Sequence, residues 1–149
     1  MHVADYLDEE LILPDLKSTS KPEILAELVA PLAEKRDNVG LEEAKKVLLE
    51  RENLGSTGIG EGVAIPHGKM EDLEDVIMVV GRSKEGMDFA SLDKKPCTIF
   101  FLVLAPERVA GMHLRILAHV SRLLKDQSFR QAFMEAPDRA ALWKLLQSA

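Results

Sequence analysis

Apolar residues recur at spacings of three and four in several parts of the chain, a pattern typical of helices packed on one face. The first of these segments follows Ser20, which forms a capping box with Glu23 and has Pro22 near the first helical position. Its inward stripe consists of five residues, Ile24, Leu25, Leu28, Val29 and Leu32. Pro31 lies inside this stripe, so we expect it to bend or shorten the helix.

The same spacing predicts four more helices, over residues 41–52, 110–125, 129–134 and 138–146. The first of these should face inward through Leu41, Ala44, Val47, Leu48 and Leu54, and it places Arg51 beside a glycine-rich segment. On the long helix, His113 shares an inward stripe with Ile116, Leu117, Val120 and Leu124, whereas His119 is predicted to face solvent.

Continuous apolar runs at 76–80 and 98–104 predict two strands buried on both faces. Residues 63–65 predict a shorter strand, residues 11–13 a weakly marked one, and residues 86–88 a turn. Strands and helices alternate, which predicts a single α/β domain over residues 1–149, with helices on both faces of its sheet.

Composition narrows the classes of function. The 149 residues are 46% hydrophobic and 30% charged, as in ordinary globular domains, and the net charge is −6. This balance argues against nucleic acid and anionic membranes as partners and permits a basic protein partner. The single cysteine, Cys97, lies in an apolar run and should be buried. We see no signal peptide and no apolar run of the ~20 residues that a membrane span needs, so we expect a cytoplasmic protein without membrane insertion.

Residues 55–68 are rich in glycine and end at Pro66-His67-Gly68, where a predicted strand presents an imidazole beside several backbone N–H donors. Neither nucleotide-binding motif fits this segment. A Walker A loop would need Ser or Thr where Met70 stands, and the dinucleotide fingerprint would need a third glycine where Val63 or Ile65 stands. A tight irregular turn would also account for the glycines, without any ligand.

The spacing and the neighbours of the histidines favour phosphoryl transfer over metal binding as the chemistry of this chain. No pair of His or Cys residues has the spacing of a metal site, so we predict no metal and no cofactor. His67 has no serine or cysteine elbow beside it, so we interpret it as a nucleophile whose neutral ring has one free nitrogen. The groups that can stabilise phosphoryl charge nearby are the Ser56 and Thr57 hydroxyls, the Gly58 and Gly60 N–H groups and the Arg51 guanidinium.

The segments RENLGSTGIG (51–60) and IPHGK (65–69) resemble the fructose/mannitol-type enzyme IIA domain of bacterial phosphotransferase systems, most closely its nitrogen-regulatory branch. Further similarity at 87–89, 92–93, 99–106 and 113–114 extends the resemblance over nearly the whole chain. It implies a mixed β-sheet sandwiched between α-helices. It also implies that an HPr-type histidine phosphocarrier phosphorylates His67 on Nε2, that Arg51 lies near it, and that His113 faces it across the pocket.

One position departs from the family pattern. Glu61 stands where the family commonly has asparagine, and a carboxylate pointing at a phosphoryl group would repel it. We therefore expect Glu61 to point outward, where it can meet a basic patch on the donor. The exposed centre of the donor contact is predicted to consist of Ile59, Val63 and Met87.

Three functions remain open at this point. The first is a phosphoryl carrier of the nitrogen-regulatory type, whose phosphorylation state controls partner proteins. The second is a sugar-specific IIA component that passes the group to a IIB domain, and the third is a non-catalytic binding module switched by phosphate on His67. The sequence carries no IIB, membrane or phosphocarrier segment, which favours regulation. A hydrolase using His67 as a base is disfavoured because no nucleophile is placed beside it.

Overall fold

One six-stranded sheet organises the chain, and the computed structural model describes residues 1–149. The strands are β1 (Ile12–Leu13), β2 (Gly58–Gly60), β3 (Val63–Ala64), β4 (His67–Met70), β5 (Ile77–Met87) and β6 (Cys97–Pro106). The helices are α1 (Lys21–Lys35), α2 (Leu41–Asn53), α3 (Ala110–Lys125), α4 (Gln127–Glu135) and α5 (Arg139–Gln147). Short 3-10 turns occupy Val3–Tyr6, Glu9–Leu11 and Glu107–Val109.

The sheet is mixed, with strand order β1-β5-β6-β3-β2 and β4 paired to β6. The β5–β6 and β2–β3 pairs are antiparallel, whereas β1 runs parallel to β5. Both β3 and β4 lie parallel along the same edge of β6, with Val63 opposite Ile99 and His67 opposite Val103. Together they form one interrupted strand, broken at residues 65–66.

Helices cover both faces of the sheet, as predicted. Successive residues of β6 point to opposite faces. Phe100 packs against Phe89 on one face, and Gly81, its partner on β5, is approached there by Leu28 of α1. Phe101 packs on the other face, against two phenylalanines of α4, and its ring centroid lies 5.9 Å from that of Phe133. Helix α2 packs against α1, and α3 and α5 pack against α4, so the sandwich is complete.

The first helix is longer than Pro31 led us to expect. Ser20 Oγ accepts the Glu23 N–H and donates to the Glu23 carboxylate, which confirms the capping box. The helix then continues through Pro31 to Lys35, so of the two predicted effects, bending or shortening, shortening does not occur. Since the inward stripe is fully buried on both sides of Pro31, its packing outweighs one missing backbone hydrogen bond.

Helix α2 faces the core through fewer residues than predicted. Ala44 and Leu48 are buried, but Leu41 is 36% exposed at the first helical position and Leu54 is 85% exposed beyond the last. An unexpected residue, Glu52, is buried instead, at 6% exposure. The periodicity therefore located the helix and misjudged both of its ends, where the chain turns away from the core.

The strands also differ from the sequence prediction. Strand β5 continues through Gly86 to Met87, which pairs with Cys97, so the turn predicted at 86–88 is wrong. Strands β2 and β4 were not predicted, because glycine and polar residues give them no alternating pattern. Cys97 is buried as expected, but His119 is only half-exposed and its Nε2 is buried, so its predicted solvent-facing position is wrong.

Candidate active site

His67 is the first residue of strand β4, directly after the break between β3 and β4. The sequence pattern predicts His67 at the end of a strand instead. Its register partner Val103 has the same parity as Phe101, so the imidazole points to the face covered by α3 and α4. Gly68 points to the opposite face, where the Val47 side chain of α2 occupies the space that a Cβ would need. Only glycine therefore fits after His67 while α2 stays in place.

The environment of His67 leaves one ring nitrogen free. Nδ1 lies 2.8 Å from the Ile65 carbonyl oxygen, and because a carbonyl can only accept, Nδ1 carries the proton. Burial lowers the pKa of His67, and the Arg51 charge lowers it further, against the opposing effects of the Ile65 hydrogen bond and Glu52. The ring is therefore neutral near pH 7, with its Nε2 lone pair available.

A second histidine lies against the first. The His67 and His113 ring centroids are 5.7 Å apart, with the planes at 77° in an edge-to-face arrangement. His113 is 3% exposed, and its Nε2 has no hydrogen-bond partner. Its pKa is lowered to about 4, mainly by burial and then by repulsion from a protonated His67 and from Lys69. The inward stripe on α3 thus brings His113 to His67, and both rings are neutral.

His67 opens onto a pocket of about 210 Å³, which holds several water-sized groups. The lining residues are Arg51, Ser56, Thr57, Ile59, Ile65, His67, Leu117 and Ser121. Arg51 comes from the last turn of α2, and its Nη1 donates to the Gly55 carbonyl at 2.8 Å, which fixes the guanidinium beside the glycine-rich segment. The free Nε2 of His67 and the fixed guanidinium of Arg51 therefore belong to residues that line the same pocket.

The predicted phosphoryl-binding donors are not equivalent in the structure. Thr57 donates both its N–H and its hydroxyl to Glu52, so its hydroxyl proton is committed. Ser56 Oγ accepts the Gly58 N–H at 3.0 Å, which occupies that backbone donor but leaves the Ser56 hydroxyl proton free. Gly60 lies outside the His67 pocket, in the hairpin beyond it. Of these four residues, Ser56 alone offers a free side-chain donor to the pocket.

The hairpin between β2 and β3 turns through Glu61 and Gly62. Both have positive φ, 58° and 78°, as a two-residue type I′ turn requires. The Glu61 side chain is exposed, and its carboxylate lies 3.9 Å from Arg130 of α4, so the predicted outward orientation is confirmed. The left-handed conformation also explains why asparagine suits this position, since Asn adopts it at lower cost than Glu.

Comparison with known proteins supplies the family. Residues 5–149 match the phosphoenolpyruvate-dependent sugar phosphotransferase system, EIIA 2. This chain belongs to that family. The chain is 41% identical to the nitrogen regulatory protein of Bradyrhizobium diazoefficiens over 148 residues, which is 98% of this chain and 95% of that protein. It is 33% identical to the fructose-specific EIIABC component of Bacillus subtilis over 95% of this chain but 22% of that protein.

A solved structure agrees with this assignment. The nitrogen regulatory protein IIA-Ntr from Neisseria meningitidis superposes with a TM-score of 0.90 at 28% identity, over 97% of this chain and 98% of that one. The fold of this EIIA domain is therefore that of the phosphotransferase IIA proteins. None of its helices combines the length and apolar character that crossing a bilayer requires. No cluster of three or more His, Cys, Asp or Glu side chains is arranged to hold a metal ion.

Two of the residues predicted to contact a donor need correction. Val63 and Met87 are 2% and 4% exposed, so both side chains are buried in the core. They offer no surface to a partner in this fold. Ile59, by contrast, is 42% exposed and lines the His67 pocket, so it is the apolar residue of the predicted contact that a partner can reach.

Several residues of the site were missed by the sequence analysis. Leu117 and Ser121 line the pocket, and their spacing of four and eight residues from His113 could have indicated this. Lys69, two residues after His67, contributes to the lowered pKa of His113. Glu52 gave no indication, since a charged residue at the end of an amphipathic helix normally faces solvent. Its burial depends on a partner that is distant in the sequence.

Proposed function

We propose that this EIIA domain is a phosphoryl carrier in which Nε2 of His67 accepts a phosphoryl group from an HPr-type histidine phosphocarrier. The observation that carries the proposal is the Nδ1–Ile65 hydrogen bond, which fixes the tautomer and leaves the Nε2 lone pair free at a pocket that also holds Arg51. Membership in a phosphotransferase family supports the same chemistry.

The transfer is a displacement at phosphorus between two imidazoles. The Nε2 lone pair of His67 forms the new N–P bond while the N–P bond of the donor phosphohistidine breaks, and its electron pair returns to the donor nitrogen. The Nδ1 proton of His67 stays on its ring, held by Ile65. Arg51 and the Ser56 hydroxyl stabilise the charge on the transferring oxygens, and His113 keeps the other side of the ring packed and free of water.

We further propose that the phosphorylation state regulates partner proteins, as in the nitrogen-regulatory branch. The support is the identity to a nitrogen regulatory protein over 95% of its length. A specific observation also favours a second function, a sugar-specific IIA component that passes the group to a IIB domain, since the chain is 33% identical to part of a fructose-specific EIIABC component. The two functions share His67 and differ in the acceptor.

The test is phosphoryl transfer followed by intact mass. The protein is mixed with enzyme I, phosphoenolpyruvate and either a sugar-type or a nitrogen-type phosphocarrier. We expect a gain of one acid-labile phosphoryl group, absent in His67→Ala and retained in the matched control His119→Ala on α3. Arg51→Ala should slow transfer by about 10²- to 10³-fold, the cost of losing one preorganised charge-stabilising group. His113→Ala should slow it without unfolding the domain.

The results separate the alternatives. Acid-labile phosphate appearing on His67→Ala at the normal rate would overturn the site assignment. If neither carrier phosphorylates the wild-type protein, the result would favour a non-catalytic binding module. Where phosphorylation occurs, incubation with a fructose-type IIB domain decides the next step: loss of the group to IIB supports sugar transfer, and retention supports regulation.

A further inference from the structure

A buried carboxylate lies directly behind the His67 pocket and is not part of its lining. The Glu52 side chain is only 2% exposed, at the end of α2 and next to Arg51. A carboxylate in such a place needs several donors, since an unpaired buried charge costs several kcal/mol. The hydrogen-bond donors of Glu52 show which groups this carboxylate holds in position.

Three groups donate to Glu52. The Thr57 N–H and the Lys21 ammonium donate to Oε1, at 3.1 and 2.9 Å, and the Thr57 hydroxyl donates to Oε2. Both donors from the glycine-rich segment therefore belong to one residue, Thr57, which lines the pocket and is itself 3% exposed. Glu52 thus fixes the backbone and the side-chain rotamer of Thr57 together.

Fixing Thr57 also fixes its neighbours. Ser56 precedes it and Gly58 follows it, and these two are joined across Thr57 by the hydrogen bond from the Gly58 N–H to Ser56 Oγ. That hydrogen bond sets the direction in which the Ser56 hydroxyl can donate. The free Ser56 hydroxyl is therefore held in place through a chain of contacts that ends at Glu52.

The third donor connects this arrangement to a distant part of the chain. Lys21 is the first residue of α1 and lies 31 residues before Glu52, and its ammonium also sits 4.6 Å from the ring centroid of Phe89. Phe89 is fully buried after β5, so the cation is held from two sides. Lys21 neutralises Glu52 and keeps the carboxylate aimed at Thr57.

We propose that Glu52, held by Lys21, is a positioning residue for phosphoryl acceptance, which fixes Thr57 and through it the Ser56 hydroxyl in the pocket that His67 lines. The inference rests on the proposed function of His67. Glu52 does not contact the phosphoryl group. It determines where the donors of the glycine-rich segment stand when the group arrives.

The test compares Glu52→Gln with wild type for phosphorylation by an HPr-type carrier and by phosphoramidate, a small donor that needs no protein docking. The amide cannot accept from all three groups, so we expect the rate at saturating donor to fall by about 10- to 100-fold with both donors. Half-saturating carrier concentration should change by less than about twofold, since docking is untouched. Thr57→Val should show the same defect, and Thr57→Ser, which keeps the hydroxyl, should restore most of the rate.

Glu27→Gln is the matched control. Glu27 on α1 also accepts three donors, the Lys17 N–H and the N–H and hydroxyl of Ser18, but it lies outside the pocket. The Glu27→Gln protein should accept the phosphoryl group at the wild-type rate. A second readout is the pH titration of the His67 ring by NMR: the charge of Glu52 raises the pKa of His67, so Glu52→Gln should lower it.

The outcomes are distinct. A folded Glu52→Gln protein that matches wild type with both donors overturns the inference, and so does a defect confined to the protein carrier, which would place Glu52 in docking. A rate that falls only in proportion to the unfolded fraction, measured by circular dichroism, also overturns it. If wild type accepts no phosphoryl group from any donor, the proposed function fails and the inference falls with it.

Discussion

Two charged side chains are buried in this domain, and their surroundings compensate them differently. Glu52, behind the His67 pocket, is paired with the ammonium of Lys21 and accepts two donors from Thr57. Arg82, on β5, is 1% exposed and is surrounded by carbonyl oxygens. Its Nε donates to Pro14, and its Nη1 donates to Phe133, Met134 and Ala136 at the end of α4.

The difference separates function from stability. Three of the four carbonyls around Arg82, those of Phe133, Met134 and Ala136, are orphan acceptors at the C-terminus of α4, where the helix dipole also favours a cation. Arg82 thus joins α4 and the segment after β1 to the sheet, outside the His67 pocket. Glu52 holds a single loop residue at the pocket edge. The same physical problem, a charge out of water, is solved by fold-anchoring contacts in one region and by contacts that position the site in the other.

Removing Arg82 should give the largest effect on stability. Arg82→Met leaves four buried or part-buried carbonyls without their donor, and we expect a loss of about 3–5 kcal/mol in the free energy of unfolding, measured by urea denaturation. The folded fraction should still accept phosphoryl groups at the wild-type rate. A loss below about 1 kcal/mol, or a slowed transfer in the folded fraction, would remove the contrast between the two regions.

A third buried ionisable group, His113, extends the comparison of Glu52 with Arg82. Its Nε2 has no hydrogen-bond partner, and the side chain avoids a buried charge by staying neutral. Its folded pKa of about 4 lies below the unfolded value near 6.5, so the unfolded chain binds more protons between these values. The contribution of His113 to stability should be constant above pH 6.5 and should fall by about 3 kcal/mol as the pH drops to 4. Denaturation across this range should show a smaller slope for His113→Gln than for wild type.

The ion pair between Lys21 and Glu52 can also be broken by replacing Lys21. Lys21→Met leaves the buried carboxylate without its cation, and we expect about 2 kcal/mol of destabilisation, less than for Arg82 because Lys21 keeps 19% of its side chain exposed. The double variant Lys21→Met/Glu52→Gln should recover part of this loss. Additive losses in the double-mutant cycle would show that the two residues are not coupled.

The smallest effect is expected at the hairpin turn. Glu61→Asn places a residue suited to the left-handed conformation at φ 58°, and it removes only a distant, exposed ion pair. We expect a gain of about 0.5–1 kcal/mol in thermal or urea unfolding. Glu61→Gln, which keeps the strain and removes the charge, is the control and should change stability by less than about 0.5 kcal/mol.

Much of this picture could be predicted from local pattern. The cap at Ser20, the stripe on α3 that brings His113 inward and the apolar runs of β5 and β6 all depend on residues within a few positions of one another. Strand β2 was missed although its partner β3 is close in sequence, because its glycines give no alternating pattern. Strand β4 was missed because it depends on a distant partner: it pairs with the part of the β6 edge beyond β3. The burial of Val63 and Met87 was missed for the same reason, since their neighbours are distant in the sequence.

The sequence by itself determined the family, the acceptor histidine to be tested and the alternation of helices and strands, because motif spacing and hydrophobic period are local properties. Only the tertiary structure decided that Thr57 donates to Glu52 while Ser56 stays free, and that two charged residues are buried. Those outcomes depend on contacts between Lys21 and Glu52, 31 residues apart, and between Arg82 and Phe133, 51 residues apart. A buried charge is stable only where the fold supplies partners, and no local pattern records where they will be.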